Sequence, residues 1–149
     1  MRPYFKDPSA IYAESFATVR REAQLERFGR GMEAMAIRLI HSCGMIEIAD
    51  RLAFSQAAFE AGRAALLAGA PVLCDCEMVA AGVIRRMLPA DNEVIVTLND
   101  GRVAALADEI GNTRSAAAIR FWEKHIEGSV VAIGNAPTAL FHLLEMLDI

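Results

Sequence analysis

Residues 31–44 read GMEAMAIRLIHSCG, and this stretch decides how the rest of the chain is interpreted. Six apolar residues recur at the spacings of one helical face: Met32, Met35, Ala36, Leu39, Ile40 and Cys43. Gly44 is placed to end the helix. His41 falls opposite the apolar face, with Arg38 one turn earlier beside it. His41 therefore faces either water or something that the helix contacts, and this helix alone favours a surface histidine.

Composition and charge restrict the class of protein. The chain has 149 residues, 54% of them hydrophobic, which is enough for one domain with a core and argues against disorder. No apolar stretch is as long as a membrane span, and no apolar region follows the N-terminal charges, so we expect a cytoplasmic protein. The net charge of −4 argues against general nucleic-acid binding. Residues 1–38 nevertheless carry seven Lys or Arg against five Asp or Glu, so arginines there could meet an anionic ligand.

Neither the cysteines nor the histidines form a metal or redox motif. Cys74-Asp75-Cys76 lacks the two-residue spacer of zinc and thioredoxin-like motifs, and Cys43 makes the count odd, which favours reduced structural thiols. The histidines lie far apart, on three predicted helices: His41, His125 and His142. Phosphate-loop, dinucleotide-binding and Gly-x-Ser-x-Gly motifs are absent from the sequence. The sequence therefore predicts no metal site.

Periodicity and turn residues predict helices that alternate with short buried strands. The predicted strands are 71–74, 93–98 and 129–133. The first predicted helix begins at Asp7-Pro8. Further helices are predicted at 31–44, 55–67, the first part of 76–88, 103–110, 114–124 and 138–147. Segment 45–49 could be a short strand or a helix. The alternation predicts an α/β fold with a parallel sheet. We expect a single domain, 1–149, with an N-terminal helical part at about 8–44 and a sheet part at about 45–149.

The carboxyl ends of the predicted strands indicate a candidate ligand site, because ligands of parallel sheets bind there. This rule selects Asp75, the turn at Asn99 and Gly134-Asn135, and the loop before Arg114 can join them. Residues 111–115, Gly-Asn-Thr-Arg-Ser, place hydroxyls, an amide and a guanidinium at a helix N-terminus. That pattern is as typical of a carboxylate or phosphate site as of an ordinary helix cap. Residues 134–138, Gly-Asn-Ala-Pro-Thr, are either a strand–helix turn or a pocket wall.

Four motifs follow one another along the chain. They are RLIHSCG (38–44), GAPVLCD (69–75) with EMV (77–79), GNTRSAA (111–117) and GNAPTA (134–139). Together they resemble the precorrin-8X methylmutase family of corrin (cobalamin) biosynthesis, over essentially the whole chain. Any one motif alone would be weak, but four in the family's order are specific.

The resemblance implies a flavodoxin-like, three-layer α/β/α fold with a mainly parallel sheet, and a homodimer with active sites near its interface. It implies an isomerase that moves a ring methyl group from C-11 to C-12 of the tetrapyrrole precorrin-8X, giving hydrogenobyrinic acid, with no redox cofactor. Family members continue past this terminus with another strand and a Glu-Ser-Lys motif. We therefore expect a truncated member whose sheet is incomplete at the C-terminus.

The resemblance also assigns roles to individual residues. His41 matches the family's catalytic histidine, and imidazole suits the task because it exchanges a proton near neutral pH and can protonate a ring nitrogen. Ser15 and Arg38 match positions expected to contact substrate, and Arg114 with its neighbours resembles a further part of the site. The expected substrate-binding residues are Ser15, Arg38, Asp75, Asn112, Thr113, Arg114, Ser115 and Asn135.

Two functions of different class stay open from the sequence. The first is the isomerase. The second is a non-catalytic α/β module that binds a tetrapyrrole or a partner chain through the His41 face. A receiver-like signalling domain fits less well, because it requires an acidic cluster at the strand ends and Asp75 and Glu77 supply only part of one. Neither nucleic acid nor a membrane is an expected partner.

Overall fold

A computed structural model of the chain describes residues 4–148. The chain divides into two compact units, the first ending at Ala61 and the second beginning at Gly62. The helices are α1 (Pro8–Glu22), α2 (Arg30–Cys43), α3 (Ile48–Arg51), α4 (Ala58–Leu67), α5 (Glu77–Gly82), α6 (Val103–Ile110), α7 (Arg114–Ile119) and α8 (Pro137–Leu147). The strands are β1 (Val72–Cys74), β2 (Val94–Val96) and β3 (Val130–Ala132). The assignment of one domain to the whole chain stays a prediction.

Unit 1 is built on α1 and α2, whose ends carry the capping residues expected from the sequence. The carboxylate of Asp7 accepts a hydrogen bond from the N–H of Ala10 at 2.8 Å, and Pro8 is the first helical residue. Gly44 ends α2 with a φ of +70°, in the left-handed region that side chains disfavour. The buried apolar residues of this unit form one core: Val19, Ala23, Phe28, Met32, Ala36, Ile37, Ile40 and Ala49.

The buried face of α2 differs from the predicted one. Met35 and Leu39 are 40% and 39% exposed, whereas Ile37, expected on the other side, is 2% exposed. The prediction was wrong because apolar residues occupy more than half of the circumference of α2, so their spacing could not show which arc packs against α1. The buried arc is rotated toward Ile37. His41, one turn after Ile37, is therefore half-buried at the edge of the packed face and not opposite it.

Unit 2 contains a three-stranded parallel sheet in the order β2-β1-β3. In register, Val72, Leu73 and Cys74 of β1 lie opposite Val94, Ile95 and Val96 of β2 and opposite Val130, Val131 and Ala132 of β3. All three residues of β1 are buried, as expected for a central strand of a parallel sheet. The sheet brings the carboxyl ends of all three strands to one edge, where the candidate residues of unit 2 lie.

Helices cover both faces of this sheet. Leu73 belongs to a core with Trp122 and with α8 on one face. Val72 and Cys74 belong to a different core, shared with Ala80 of α5, because successive side chains of a strand point to opposite faces. Unit 2 thus has the three α/β/α layers that the family resemblance implied, and the α/β fold with a parallel sheet is confirmed.

Several elements are shorter than predicted. The strands expected at 93–98 and 129–133 pair only over Val94–Val96 and Val130–Ala132. The helix expected from Ser55 is α4, and the one expected within 76–88 is α5. The helix expected over 114–124 is α7, followed by a 3₁₀ turn at Arg120–Trp122. That turn tightens where the fully buried Trp122 enters the core. The ambiguous segment near Ala49 is the short helix α3. No helix within residues 4–148 combines the length and the apolar character needed to cross a bilayer.

Candidate functional site

A hydrogen bond joins His41 of α2 to Ser15 of α1. The Oγ atom of Ser15 lies 2.7 Å from Nδ1 of His41, and both residues are half-buried. A hydroxyl can donate as well as accept, so it satisfies Nδ1 whether or not the imidazole carries a second proton. The bond therefore orients the ring and leaves Nε2 as the nitrogen for an external partner.

Two aromatic rings of α1 enclose the imidazole. The ring of Tyr12 lies 4.9 Å from that of His41 at an interplanar angle of 33°, and the ring of Phe16 lies 5.4 Å away, nearly perpendicular at 88°. Neither residue was predicted as part of the site. The signal that could have found them is their spacing, because residues 12, 15 and 16 share one face of α1. Together with Ser15 they restrict how the His41 ring can turn.

Arg38 extends this cluster along α2. Its guanidinium carbon lies 5.5 Å from the centre of the Phe16 ring, and the side chain is exposed. A cation over an aromatic face is stabilised by about 0.5–1 kcal/mol at exposed sites. Unit 1 thus brings together three predicted site residues, Ser15, Arg38 and His41, with a cation available for an anionic ligand.

Asp75 follows β1 and forms hydrogen bonds with the loop between β3 and α8. The residue is 2% exposed, and its carboxylate accepts three main-chain hydrogen bonds. The N–H of Gly134 donates to Oδ1 at 3.2 Å, and the N–H groups of Asn135 and Ala136 donate to Oδ2 at 3.0 and 2.9 Å. Both oxygens are therefore used inside the protein. This geometry favours a positioning role for Asp75 over the direct ligand contact predicted for it.

The segment predicted as an anion site, 112–115, forms the cap of α7. Oγ1 of Thr113 accepts a hydrogen bond from the N–H of Ala116 at 3.1 Å. The same Oγ1 lies 2.8 Å from Oγ1 of Thr138, in the first turn of α8. Arg114 is exposed and donates to the carbonyl of Leu98 at 3.3 Å. The cap interpretation is confirmed, and the cap is tied to the same helix whose entry loop Asp75 holds.

The other predicted residues of unit 2 are exposed or half-buried at this edge. Oδ1 of Asn112 accepts the N–H of Thr113 at 2.7 Å, so the amide nitrogen stays available to a ligand. Asn135 is exposed and Ser115 is half-buried. Unit 2 therefore presents amide and hydroxyl groups at the carboxyl edge of the sheet. The loop backbone at Asn135 is held there by its hydrogen bonds to Asp75.

A cavity of about 530 Å³ lies elsewhere in unit 2, beside the end of β2, with Thr97, Arg102 and Phe121 in its wall. None of the predicted site residues, all of which the structure describes, lines it. Arg102 forms an ion pair with Asp100 at 2.7 Å and lies 4.3 Å from the centre of the Phe121 ring. The hydrogen bonds from Arg102 lower the pKa of Asp100 from 3.8 to about 2. The guanidinium is therefore already partnered, and the cavity is not the predicted site.

The cysteines of unit 2 belong to its packing. Cys74 and Cys76 are free thiols that flank Asp75, and both are buried. Burial, and to a smaller degree the charge of Asp75, raises the pKa of the Cys74 thiol. A thiol with a raised pKa stays protonated at neutral pH and is a poor nucleophile. Within residues 4–148, no three His, Cys, Asp or Glu side chains cluster closely enough to hold a metal ion.

Comparison with curated proteins finds close relatives along nearly the whole chain. The chain is 60% identical to the precorrin-8X methylmutase of Pseudomonas aeruginosa PAO1, over 99% of its own length and 71% of that protein. It is 58% identical to the precorrin-8X methylmutase of a Sinorhizobium species, over 97% of this chain and 69% of the relative. The alternative of a non-catalytic binding module is not favoured by these relatives.

Comparison with family models and solved structures agrees with that result. A solved structure of precorrin-8X methylmutase from Thermus thermophilus matches with a TM-score of 0.81 at 37% identity, over 94% of this chain and 68% of that one. The family model described as precorrin-8X methylmutase matches residues 10–149. That match includes His41, Ser15 and the loop held by Asp75. The chain therefore belongs to the precorrin-8X methylmutase family.

Proposed function

We propose that this chain is an isomerase of cobalamin biosynthesis that moves a ring methyl group from C-11 to C-12 of precorrin-8X, giving hydrogenobyrinic acid. Family membership supports the reaction, and the 2.7 Å contact between Ser15 Oγ and His41 Nδ1 is the observation that carries the mechanism. In the reaction the bond from the methyl carbon to C-11 breaks and a bond to C-12 forms. No atoms or electrons are gained or lost, so the protein needs to supply only a movable proton and binding.

His41 is the proposed proton donor. A methyl group migrates more readily when the conjugated ring is made electron-poor, and a proton placed on, or shared with, a ring nitrogen does this. The hydrogen bond at Nδ1 presents Nε2 to the substrate, and Nδ1–H can keep donating to the Ser15 hydroxyl while Nε2 gives up and regains the proton. The proton returns to His41 when the product leaves, so the enzyme is regenerated.

The proposed binding groups match the acidic edge of the substrate. Precorrin-8X carries acetate and propionate side chains, which guanidinium and N–H donors recognise as carboxylates. In unit 1 Arg38 is the proposed donor. In unit 2 the proposed donors are Asn112, Thr113, Arg114, Ser115 and Asn135. Local cations and amides of this kind explain how a chain with a net charge of −4 can take an anionic ligand.

Two measurements with the intact chain test this function. Titration with hydrogenobyrinic acid, followed by its visible spectrum, measures whether a corrinoid site exists. Turnover of precorrin-8X then separates an enzyme from the alternative, a non-catalytic tetrapyrrole-binding or partner-binding module. Binding together with turnover supports the isomerase, and binding without turnover supports the module. Absence of both contradicts the proposal.

The proposed assembly is a homodimer, and the proposed compartment is the cytoplasm, with neither a membrane nor nucleic acid as a partner. The dimer is proposed because the family resemblance places active sites near a subunit interface. Sedimentation velocity at several protein concentrations measures the molar mass in solution. A monomer at all concentrations contradicts the dimer and leaves the proposed reaction to the spectral and turnover measurements.

A further inference from the structure

We propose that Asp75 is a positioning residue that sets the affinity of this enzyme for its corrinoid by fixing the loop Gly134–Ala136. The inference rests on the proposed function, and it revises the role that the sequence predicted for Asp75. A carboxylate that contacted substrate would need at least one oxygen facing outward. Here both oxygens accept main-chain N–H groups, and the residue is 2% exposed.

The three hydrogen bonds restrain the loop at three consecutive residues. A carboxylate accepts hydrogen bonds from N–H groups more strongly than a neutral carbonyl does, and burial strengthens each bond further. The loop backbone therefore cannot rotate without leaving a buried charge unpartnered, which is costly. Asp75 is itself fixed, because its own N–H donates to the carbonyl of Ala132 in β3 at 3.3 Å.

Close packing beneath the loop supports the same interpretation. A Cβ atom at Gly134 would lie 3.0 Å from Cγ2 of Val79, so the loop backbone already rests against α5. Above it, Thr138 in the first turn of α8 joins the cap of α7 through the 2.8 Å contact with Thr113. One buried carboxylate thus sets the position of Asn135 and of the start of α8.

The substitution Asp75→Asn tests this role with little change in size. An amide offers one acceptor oxygen and brings an NH₂ group against a main-chain donor, so at least one loop N–H loses its partner. The control is Asp108→Asn, which replaces an exposed aspartate on α6. We expect the affinity of Asp75→Asn for hydrogenobyrinic acid to fall about tenfold, by analogy with groups that orient a ligand-binding residue. We expect kcat for precorrin-8X to stay within about twofold, because His41 is unaltered.

Amide hydrogen exchange measured by NMR reports on the loop directly. In the unaltered chain the N–H groups of residues 134–136 should exchange slowly, although Gly134 and Asn135 are exposed. Asp75→Asn should accelerate all three about tenfold or more and leave the amide of Leu73 unchanged. Fast exchange of these amides in the unaltered chain overturns the proposal even if Asp75→Asn fails to fold.

A double-mutant cycle separates positioning from general support of the fold. If Asp75 acts through Asn135, adding Asp75→Asn to Asn135→Ala should weaken binding by less than about twofold beyond Asn135→Ala alone. The proposal is overturned if the loss of affinity in the double variant equals the product of the losses in the two single variants. Unchanged affinity in Asp75→Asn also overturns it. If the unaltered chain does not bind hydrogenobyrinic acid at all, the proposed function has failed, and with it the role of Asp75 in affinity.

Discussion

The two units hold their polar groups in different ways. In unit 1 the imidazole of His41 is oriented by side chains alone, a hydroxyl and two aromatic rings, and it stays half-buried. In unit 2 the loop that carries Asn135 is held through its main chain by a buried carboxylate. Side-chain contacts allow the imidazole to exchange a proton, whereas main-chain hydrogen bonds restrain the backbone of the loop. The difference fits the proposed roles, proton transfer by His41 in unit 1 and ligand binding by the loop of Asn135 in unit 2.

The largest effect should come from His41→Asn. Losing a general acid lowers turnover by about 10²–10⁴-fold, while asparagine can keep a hydrogen bond to Ser15. The measurement is kcat for precorrin-8X, with the unfolding midpoint as a check on folding. His125→Asn, at an exposed histidine, is the matched control and should turn over normally. A His41→Asn variant with full kcat would break the division of roles between the units.

Leu73→Ala should cause the largest loss of stability. Leu73 is fully buried in the central strand, and truncating such a leucine costs about 2–5 kcal/mol of unfolding free energy. Leu144→Ala, at a leucine of α8 that is 47% exposed, is the control and should cost far less. Both are measured by urea unfolding. Equal costs would mean that β1 is not the centre of the packing that supports the loop of Asp75.

Ser15→Ala should lower kcat by about tenfold and change its pH profile. The variant leaves Nδ1 of His41 without its hydroxyl partner, so the ring is less well oriented and its proton exchange is altered. Ser42→Ala, at an exposed serine of α2, is the control. The assay is turnover of precorrin-8X between pH 5 and 9. If only the affinity for substrate falls, Ser15 contacts the ligand and does not act through His41.

The smallest effect should come from Asp100, a half-buried surface group outside both clusters. Because hydrogen bonds from Arg102 lower its pKa from 3.8 to about 2, the stabilisation from this pair is present above pH 3.8 and is lost as the pH falls through about 2. Asp100→Asn should therefore lower the unfolding midpoint slightly at pH 6 and by much less near pH 2. Thermal unfolding at both pH values measures the difference. A midpoint difference that does not depend on pH would contradict the ionic origin of the effect.

The sequence predicted most of what depends on local chemistry. The start of α1 at Asp7-Pro8, the stop of α2 at Gly44, the cap at Thr113 and the parallel strands all follow from residue types and spacing, and the structure confirms them. Such features involve neighbours in sequence or simple periodicity. They could therefore be predicted without knowing what packs against what.

Features that depend on tertiary contacts could not be predicted in this way. The arc of α2 that is buried depends on the other residues of its core, so the position of His41 at the edge of the packed face was missed. Asp75 follows a strand, as predicted, yet its three partners lie about sixty positions later in the chain. Spacing along the sequence carries no information about such distant main-chain partners.

The hydrogen bonds that Asp75 accepts from main-chain N–H groups have a consequence for altering this enzyme. Every amino acid except proline carries that N–H, so the hydrogen bond to Asp75 does not depend on which side chain stands at position 135. A library that varies this one position, proline excluded, should keep its fold while presenting new chemistry at the proposed ligand site. Acceptance of other corrinoids could therefore be explored there without rebuilding the sheet.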